Sequence, residues 1–320
     1  MNAETPVKIN VCVEGSDDWL FGDLRRGFQR AKVKGVQVIA SETPIQDADA
    51  WTFIRTDEAV ASPDMRRSVV CIHDLYEHDD MYKPGQIRWR AAQAGGLVLC
   101  HPEQRRILQE AGIDLSGKAV LERPLGALHQ FTVRNSAPRD SVRVGWVGRE
   151  HPRKRTAWFA EAMKYLSARK TDVAALVIGK DLEPLCARIR SDGGVCKHFD
   201  RTHTDIHAYP ALYQTLDCLV ITSSTEAGPL PLFEALATGL PVVSTAVGWA
   251  PELAARAPEF VLLADDPNGI AAHLETIYDR RHDFFDARFE IASVVEAYRL
   301  DEWFVDVLEL CARLARAWPS

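Results

Sequence analysis

The amino-acid sequence predicts an α/β protein with parallel sheets, divided into two domains. Strand-like and helix-like segments alternate along all 320 residues, the pattern left when parallel strands are joined by helical crossovers. The length exceeds that of a typical single domain. Near the middle, the alternation is interrupted by Asn135-Ser136-Ala137-Pro138-Arg139-Asp140, a polar stretch whose proline suits a linker. The expected domains are therefore 1–134 and 141–296.

A hydrophobic fraction of 47% and a charged fraction of 26% are those of a globular chain with filled cores. The net charge of −7 disfavours an extended nucleic-acid surface, so no nucleic-acid partner is expected. Of the seven cysteines, Cys12, Cys71, Cys100 and Cys218 fall in or beside apolar strand-like runs and read as buried thiols of a reducing compartment. No Cys-x-x-Cys pair or Cys/His cluster points to a metal. The opening MNAETPVKIN lacks the apolar core of a signal peptide, and no window reaches the about 18 apolar residues of a membrane span. A cytoplasmic location is expected.

In the first domain, residues 7–13 are the first strand, followed by a loop at 14–17 and a helix to about Lys32. Short runs at 36–40, 50–54 and 69–72 are further strands. Residues 97–100 are another, followed by a helix carrying Arg105, Leu108 and Ala111 that Gly112 ends. Residues 118–122 close the series, and Arg123-Pro124-Leu125-Gly126 is a turn. The second domain opens with a strand at 142–147, a helix at 157–168, a strand at 174–178, a helix at 184–191, a short strand at 197–199 and a helix at 208–216. The run LDCLVI at 216–221 has the length and β-branched content of a buried strand. Gly228 and Pro229 break it, 233–238 reads as helix, and Gly239-Leu240-Pro241 stops that helix before a strand beginning at Val242. A strand at 260–263 and a helix at 270–278 follow. The final helix, 301–317, spaces Trp303, Phe304, Val307, Leu308, Leu310, Cys311 and Leu314 as one apolar stripe, expected to pack back on the first domain.

Two clusters carry chemistry. Glu226 and Glu234, with seven residues between them, bracket a strand-to-helix turn. Open parallel sheets bind ligands at such turns, where a helix N-terminus offers N–H groups to an anion. Carboxylates accept hydrogen bonds from hydroxyls, so two of them beside an anion site suit a nucleotide sugar. The second cluster, Gly148-Arg149-Glu150-His151-Pro152-Arg153-Lys154-Arg155, follows the second domain's first strand. A glycine there lets a ligand approach the backbone, and guanidinium and ammonium groups suit a diphosphate. A solvated basic turn is the plainer alternative.

The stretch SSTEAGPLPLFEALATGLPVVSTAVGWAPEL at 223–253 resembles the E-x7-E region of retaining glycosyltransferase family 4, whose members have the two-domain GT-B fold. Gly148-Arg149, with Lys154 five residues after the arginine, resembles that family's phosphate-binding turn. Residues 97–105 and 123–131 are similar to its last N-terminal strand with the following helix, and to the segment leading into its interdomain linker. The resemblance runs in order over about residues 97–255 and is weak before residue 69.

The resemblance implies two facing Rossmann-like domains about an interdomain cleft. It implies transfer of a sugar, with retention of configuration, from a UDP- or GDP-sugar donor to a hydroxyl acceptor. That acceptor would be a glycan, a lipid-linked glycan or a small molecule, with at most peripheral contact at the inner face of a membrane. The donor is a substrate, so neither cofactor nor metal is implied. By the same resemblance Arg149 and Lys154 hold the diphosphate beside Gly148, and Glu226 faces the sugar. Ala227, Gly228 and Leu230 offer amides at the helix N-terminus, and Glu234 binds the ribose hydroxyls. Gly179 and Phe199 lie near the base, His73 faces the donor sugar, and Gly15 stands for the family's Gly-Gly loop after the first strand.

Two departures are legible. Pro229 removes one N–H where many members have a donor, and the first loop keeps only Gly15 of its glycine pair. Asp47-Ala48-Asp49 has the form of a DxD metal motif but lies far in sequence from the phosphate turn. Trp19 and Phe21 follow the first loop, where an acceptor could reach them, although core packing is their plainer role. Arg25, Arg26, Arg30 and Lys32 give the first helix a basic surface, most simply a solvated one. Other readings stay open: a sugar-nucleotide epimerase or hydrolase on the same fold, or a non-catalytic nucleotide-sugar-binding protein.

Overall fold

The computed structural model describes residues 5–13, 20–73, 84–135, 139–200 and 209–318. The chain forms two compact units, divided at Leu125/Gly126 and again at Arg299/Leu300. The first unit contains β1 (Val7–Cys12), α1 (Leu20–Arg30), β2 (Val36–Ser41), β3 (Ala50–Phe53), β4 (Ser68–Ile72), α2 (Pro84–Gln93), β5 (Gly96–Leu99), α3 (Gln104–Glu110) and β6 (Ala119–Glu122). Its strands pair in the order β2-β1-β3-β4-β5-β6, every pairing parallel. The inner strands β3, β4 and β5 are buried along their whole length, whereas the edge strands β2 and β6 are partly exposed. Helices on both faces of a parallel sheet require this, and it is why those inner strands read as largely apolar runs. Buried polar residues remain, Thr52 in β3, Ser68 in β4 and Asn10 in the neighbouring β1. Asn10 is satisfied: its amide donates to Ile39 O and Ser41 Oγ, and its oxygen accepts from Ile45 N.

The second unit contains β7 (Val142–Val147), a 3-10 turn (Pro152–Lys154), α4 (Thr156–Ser167), β8 (Val173–Gly179), α5 (Glu183–Ser191), β9 (Val195–Asp200), α6 (Tyr209–Tyr213) and β10 (Cys218–Ile221). It continues with α7 (Leu230–Ala237), β11 (Val242–Ser244), α8 (Ala250–Arg256), β12 (Val261–Leu263), α9 (Pro267–Asp279), α10 (Arg281–Asp286) and α11 (Arg288–Ser293). The parallel sheet has the order β12-β11-β10-β7-β8-β9. The chain thus winds outward in one direction from β7 and in the other from β10, leaving a topological switch point between these two neighbours.

The final helix, α12 (Leu300–Ala317), returns to the first unit and lies against β1, β3, β4, β5 and α1. Its buried stripe includes Trp303, Phe304, Val307, Leu308 and Cys311. Trp303 and Phe304 pack on Phe28 of α1 with ring centroids 5.5 and 4.8 Å away. Arg123 at the end of β6 anchors the helix through Glu302, at 2.9 Å, and Asp306.

The unit boundary lies ahead of the expected linker. Gly126 has φ +76°, and a Cβ there would sit 2.0 Å from Tyr298 O, so the chain joins the second unit's backbone immediately. Ala127 bridges Arg299, and the buried Arg134 bonds Leu216 O at 2.7 Å and Asp217 at 2.9 Å. Residues 126–134 therefore pack on the second unit, and of the polar stretch after them the described residues Asn135, Arg139 and Asp140 are exposed. Two further differences are physical. Helix α7 begins at Leu230 rather than Phe233, because prolines at N-cap and second position are compatible with a first helical turn. Cys12, Cys71, Cys100, Cys218 and Cys311 are buried thiols, but Cys186 of α5 and Cys196 of β9 are paired as a disulfide.

Trp303 is fully buried between α1 and the sheet. Trp303→Ala is expected to destabilise the first unit by about 3–5 kcal/mol, read as a lowered urea midpoint, with the second unit's transition unmoved.

Candidate functional site

At the switch point, the segments leaving β7 and β10 lie side by side. Gly148 follows β7, and its N–H donates to Ile178 O at 3.0 Å. At the end of β8, Gly179 has φ +152°, and a Cβ on it would lie 1.7 Å from Gly148 O. The two turns are thus packed backbone on backbone, which only glycine permits. His198 Nε2 lies 2.9 Å from Gly179 O, and Phe199, beside it on β9, is half-buried against the core.

Side-chain hydroxyls join the two segments. Trp146 Nε1 donates to Thr222 Oγ1 at 3.1 Å, and that hydroxyl donates to Lys154 O at 2.5 Å. Ser224 N donates to Arg153 O at 2.7 Å. Arg155 then takes a left-handed conformation, φ 45°, with its guanidinium 4.4 Å from the Trp158 ring, where the 3-10 turn gives way to α4. A non-glycine residue held there is under local strain, of the kind that surrounding contacts must maintain. The result is a placed cation: Lys154 Nζ is 2.5 Å from Glu226 Oε1, with side-chain exposures of 16% and 11%. Ser223 Oγ donates to the same oxygen at 2.8 Å.

Glu234 lies within α7, and its Oε2 accepts from the hydroxyl of the fully buried Tyr213 at 2.5 Å. Arg149 is exposed on the turn after β7. Ala227 and Gly228 are half-buried, Pro229 is the N-cap of α7, and Leu230 is its first residue. Pro231 takes the second position, so the loss of an N–H at Pro229 is doubled within one turn. Gly228 and Leu230 retain theirs. Gly15 and Trp19 lie outside the described residues. Thr222, Ser223 and Tyr213 were invisible to sequence reasoning; the hydroxyl run Ser223-Ser224-Thr225 is the one available hint.

In the first unit, His73 ends β4 with Nδ1 3.4 Å from Cys100 Sγ and its ring 6.5 Å from that of Trp303. Burial pushes this imidazole down to about 4, outweighing a raising contact from the Ile54 backbone. His73 is therefore neutral at pH 7. The DxD acids are engaged at the start of β1: Lys8 Nζ is 2.6 Å from Asp47, and Lys8 N donates to Asp49 at 2.8 Å. On α1, Arg25 pairs with Glu42 and Arg26 with Asp23. Among the described residues no group of three His, Cys, Asp or Glu could hold a metal, and no helix is long and apolar enough to cross a membrane.

Two outcomes test this geometry. Lys154→Met leaves the Glu226 carboxylate poorly solvated and short of one donor, at an expected cost of about 2 kcal/mol, below the ~3–5 of a fully buried broken pair. Adding Glu226→Gln should restore most of the lost denaturation midpoint. For His73, the unfolded chain takes up a proton below pH 6.5 that the folded imidazole refuses until about pH 4. Stability is therefore unaffected above pH 6.5 and falls as pH drops from there towards 4, by roughly 1–3 kcal/mol. His73→Asn is expected to flatten that limb of the stability profile.

Residues 141–280 match the family model described as Glycosyl transferases group 1. The chain is 32% identical over 161 residues to the lipopolysaccharide core biosynthesis mannosyltransferase LpsB of Rhizobium meliloti (strain 1021), the match covering 47% of this chain and 43% of that protein. Less than half of that relative's length is therefore represented in the match. Among solved structures, sucrose-phosphate synthase from Thermosynechococcus elongatus superposes with TM-score 0.73 at 14% identity, covering 98% of this chain and all of that one. HepE of Anabaena, in complex with UDP and glucose, gives TM-score 0.72 at 14% identity over 96% of this chain and all of that one. In the GtfA/B complex the likeness covers 84% of this chain and 58% of that one, with TM-score 0.61 and 16% identity. With its two six-stranded parallel sheets, the chain has the GT-B fold.

Proposed function

We propose that the protein transfers a sugar from a nucleotide-diphosphate-sugar donor to a hydroxyl acceptor, with retention of configuration and without a metal ion. The observation that carries the reading is the Lys154–Glu226 pair at the switch point of the second unit. A departing nucleoside diphosphate gathers negative charge on its terminal phosphate, and preorganised cations there lower the barrier. Lys154, held at 2.5 Å from Glu226 and tied through its carbonyl to Thr222, is such a cation. Arg149, on the same turn, supplies the second, with a fork suited to phosphate oxygens. A placed ammonium and a guanidinium on the same turn can do the neutralising work for which other transferases use a divalent cation. Glu226 accepts hydrogen bonds from the sugar, Glu234 from the ribose, and the Gly228 and Leu230 amides approach the phosphates. The acceptor attacks on the face that the diphosphate leaves, which retains the configuration.

The match of residues 141–280 to the group 1 model supports a transferase of this kind. HepE was solved with UDP and glucose, which favours a uridine nucleotide. LpsB is named as a lipopolysaccharide core mannosyltransferase, which favours a glycan or lipid-linked glycan acceptor and peripheral membrane contact. One observation favours a second reading, a non-catalytic nucleotide-sugar binder: Pro229 and Pro231 together remove two N–H groups from the first turn of α7.

The test is turnover of UDP- and GDP-sugars against a panel of glycan acceptors. Arg149→Ala and Lys154→Ala are each expected to lower transfer about 100-fold or more, with the melting temperature of the second unit kept in Arg149→Ala and lowered by only about 4–8 °C in Lys154→Ala, so that both variants stay folded at the assay temperature. Near-normal turnover by both variants overturns the reading. Donor binding without product favours the binder, and donor consumed at full rate with no acceptor present favours a hydrolase or epimerase.

A further inference from the structure

The contact between Tyr213 and Glu234 joins two residues 21 apart, on different helices. A glutamate has three side-chain torsions and loses more rotamer freedom on binding than almost any other residue. Glu234 meets a partner with little freedom of its own. Tyr213 is fully buried, and its ring stands edge-on to Phe131 at 5.1 Å. The backbone on either side is tied as well: Leu216 N donates to Tyr213 O at 3.0 Å, and Thr238 Oγ1 donates to Glu234 O at 2.8 Å. Gln214, next in the chain, donates to Thr132 O at 2.5 Å. An ionised carboxylate only accepts, so the tyrosine must donate, and at 2.5 Å to an anion this is a strong, short bond. That bond favours the carboxylate form, which accepts hydrogen bonds from the hydroxyls of a diol.

We infer that Tyr213 is a positioning residue: it holds the Glu234 carboxylate ready for the ribose hydroxyls and so sets a preference for ribo- over deoxyribonucleotides. The inference rests on the donor reading above. Without the phenol, Glu234 must be ordered by the ligand itself, and preorganisation is lost only for ligands that bear the hydroxyl Glu234 contacts.

The experiment is calorimetric titration of UDP, GDP and ADP, each with its 2′-deoxy and 3′-deoxy counterparts, into the wild-type chain, Tyr213→Phe and Glu234→Gln. The wild type should bind the preferred ribonucleotide about 10-fold or more tightly than the analogue lacking the contacted hydroxyl. Tyr213→Phe keeps the ring and should weaken the ribonucleotide about 5–10-fold while changing the deoxy analogue by less than about 2-fold, so that the ratio collapses. Glu234→Gln should collapse it further. A Tyr213→Phe variant that weakens both ligands equally reports general damage to α6 and overturns the inference, as does an unchanged ratio. A wild type that binds none of the nucleotides overturns the donor reading and this inference with it. A wild type that binds but does not discriminate overturns the inference and leaves the diphosphate site standing.

Discussion

Two segments leaving neighbouring parallel strands have no ladder hydrogen bonds to keep them together once the strands end. In the second unit that work falls to side chains and stray backbone groups. Thr222 Oγ1 accepts a hydrogen bond from Trp146 Nε1 and donates one to Lys154 O, and Ser224 N donates to Arg153 O. The Lys154–Glu226 pair sits on this join, between two segments that the other contacts also hold together. Each link is modest alone, about 0.5–1.5 kcal/mol net, but every group involved would be costly to leave unpaired. The join therefore has few alternatives, and the charges it carries are held where they are.

The first unit obeys a different constraint. Its inner strands are buried on both faces, so the sheet needs helices on either side to be stable at all. The connections between its own strands supply part of the cover, and α12 supplies the rest after a long excursion of the chain through the second unit. Trp303, Phe304 and Val307 enter the interior of a unit to which they are distant in sequence. Burying side chains of this size contributes about 1.5–3 kcal/mol each, enough to make the helix an integral part of that core.

Much of this was legible in the residues. Apolar runs such as VRVGWV and CLVI announced strands, and the Gly and Pro signals after them marked where each strand ends. Because parallel sheets bring all such ends to one edge, the turns that follow these strands fall together. The contacts that finish the site were not legible. Thr222 and Lys154 are 68 residues apart, and a hydroxyl bonding a carbonyl leaves no periodic trace. Short helices such as α10 and α11, six residues each, cannot sustain a stripe long enough to detect. The join of residues 126–134 to the second unit is hidden for a related reason: Arg134 is polar in sequence yet buried against Asp217, so composition points to solvent where the fold has an ion pair.

The path of α12 has a bearing on how the protein is made. A ribosome delivers β1 to β6 first, but the helix that completes their core is encoded beyond every strand of the second unit. The second unit, continuous from Gly126 to Arg299, can finish folding as soon as it emerges. The earlier-born sheet must wait, with the face destined for Trp303 uncovered. Order of synthesis and order of completion are thus reversed. During translation, the older half of the molecule is the one with an exposed apolar face to protect.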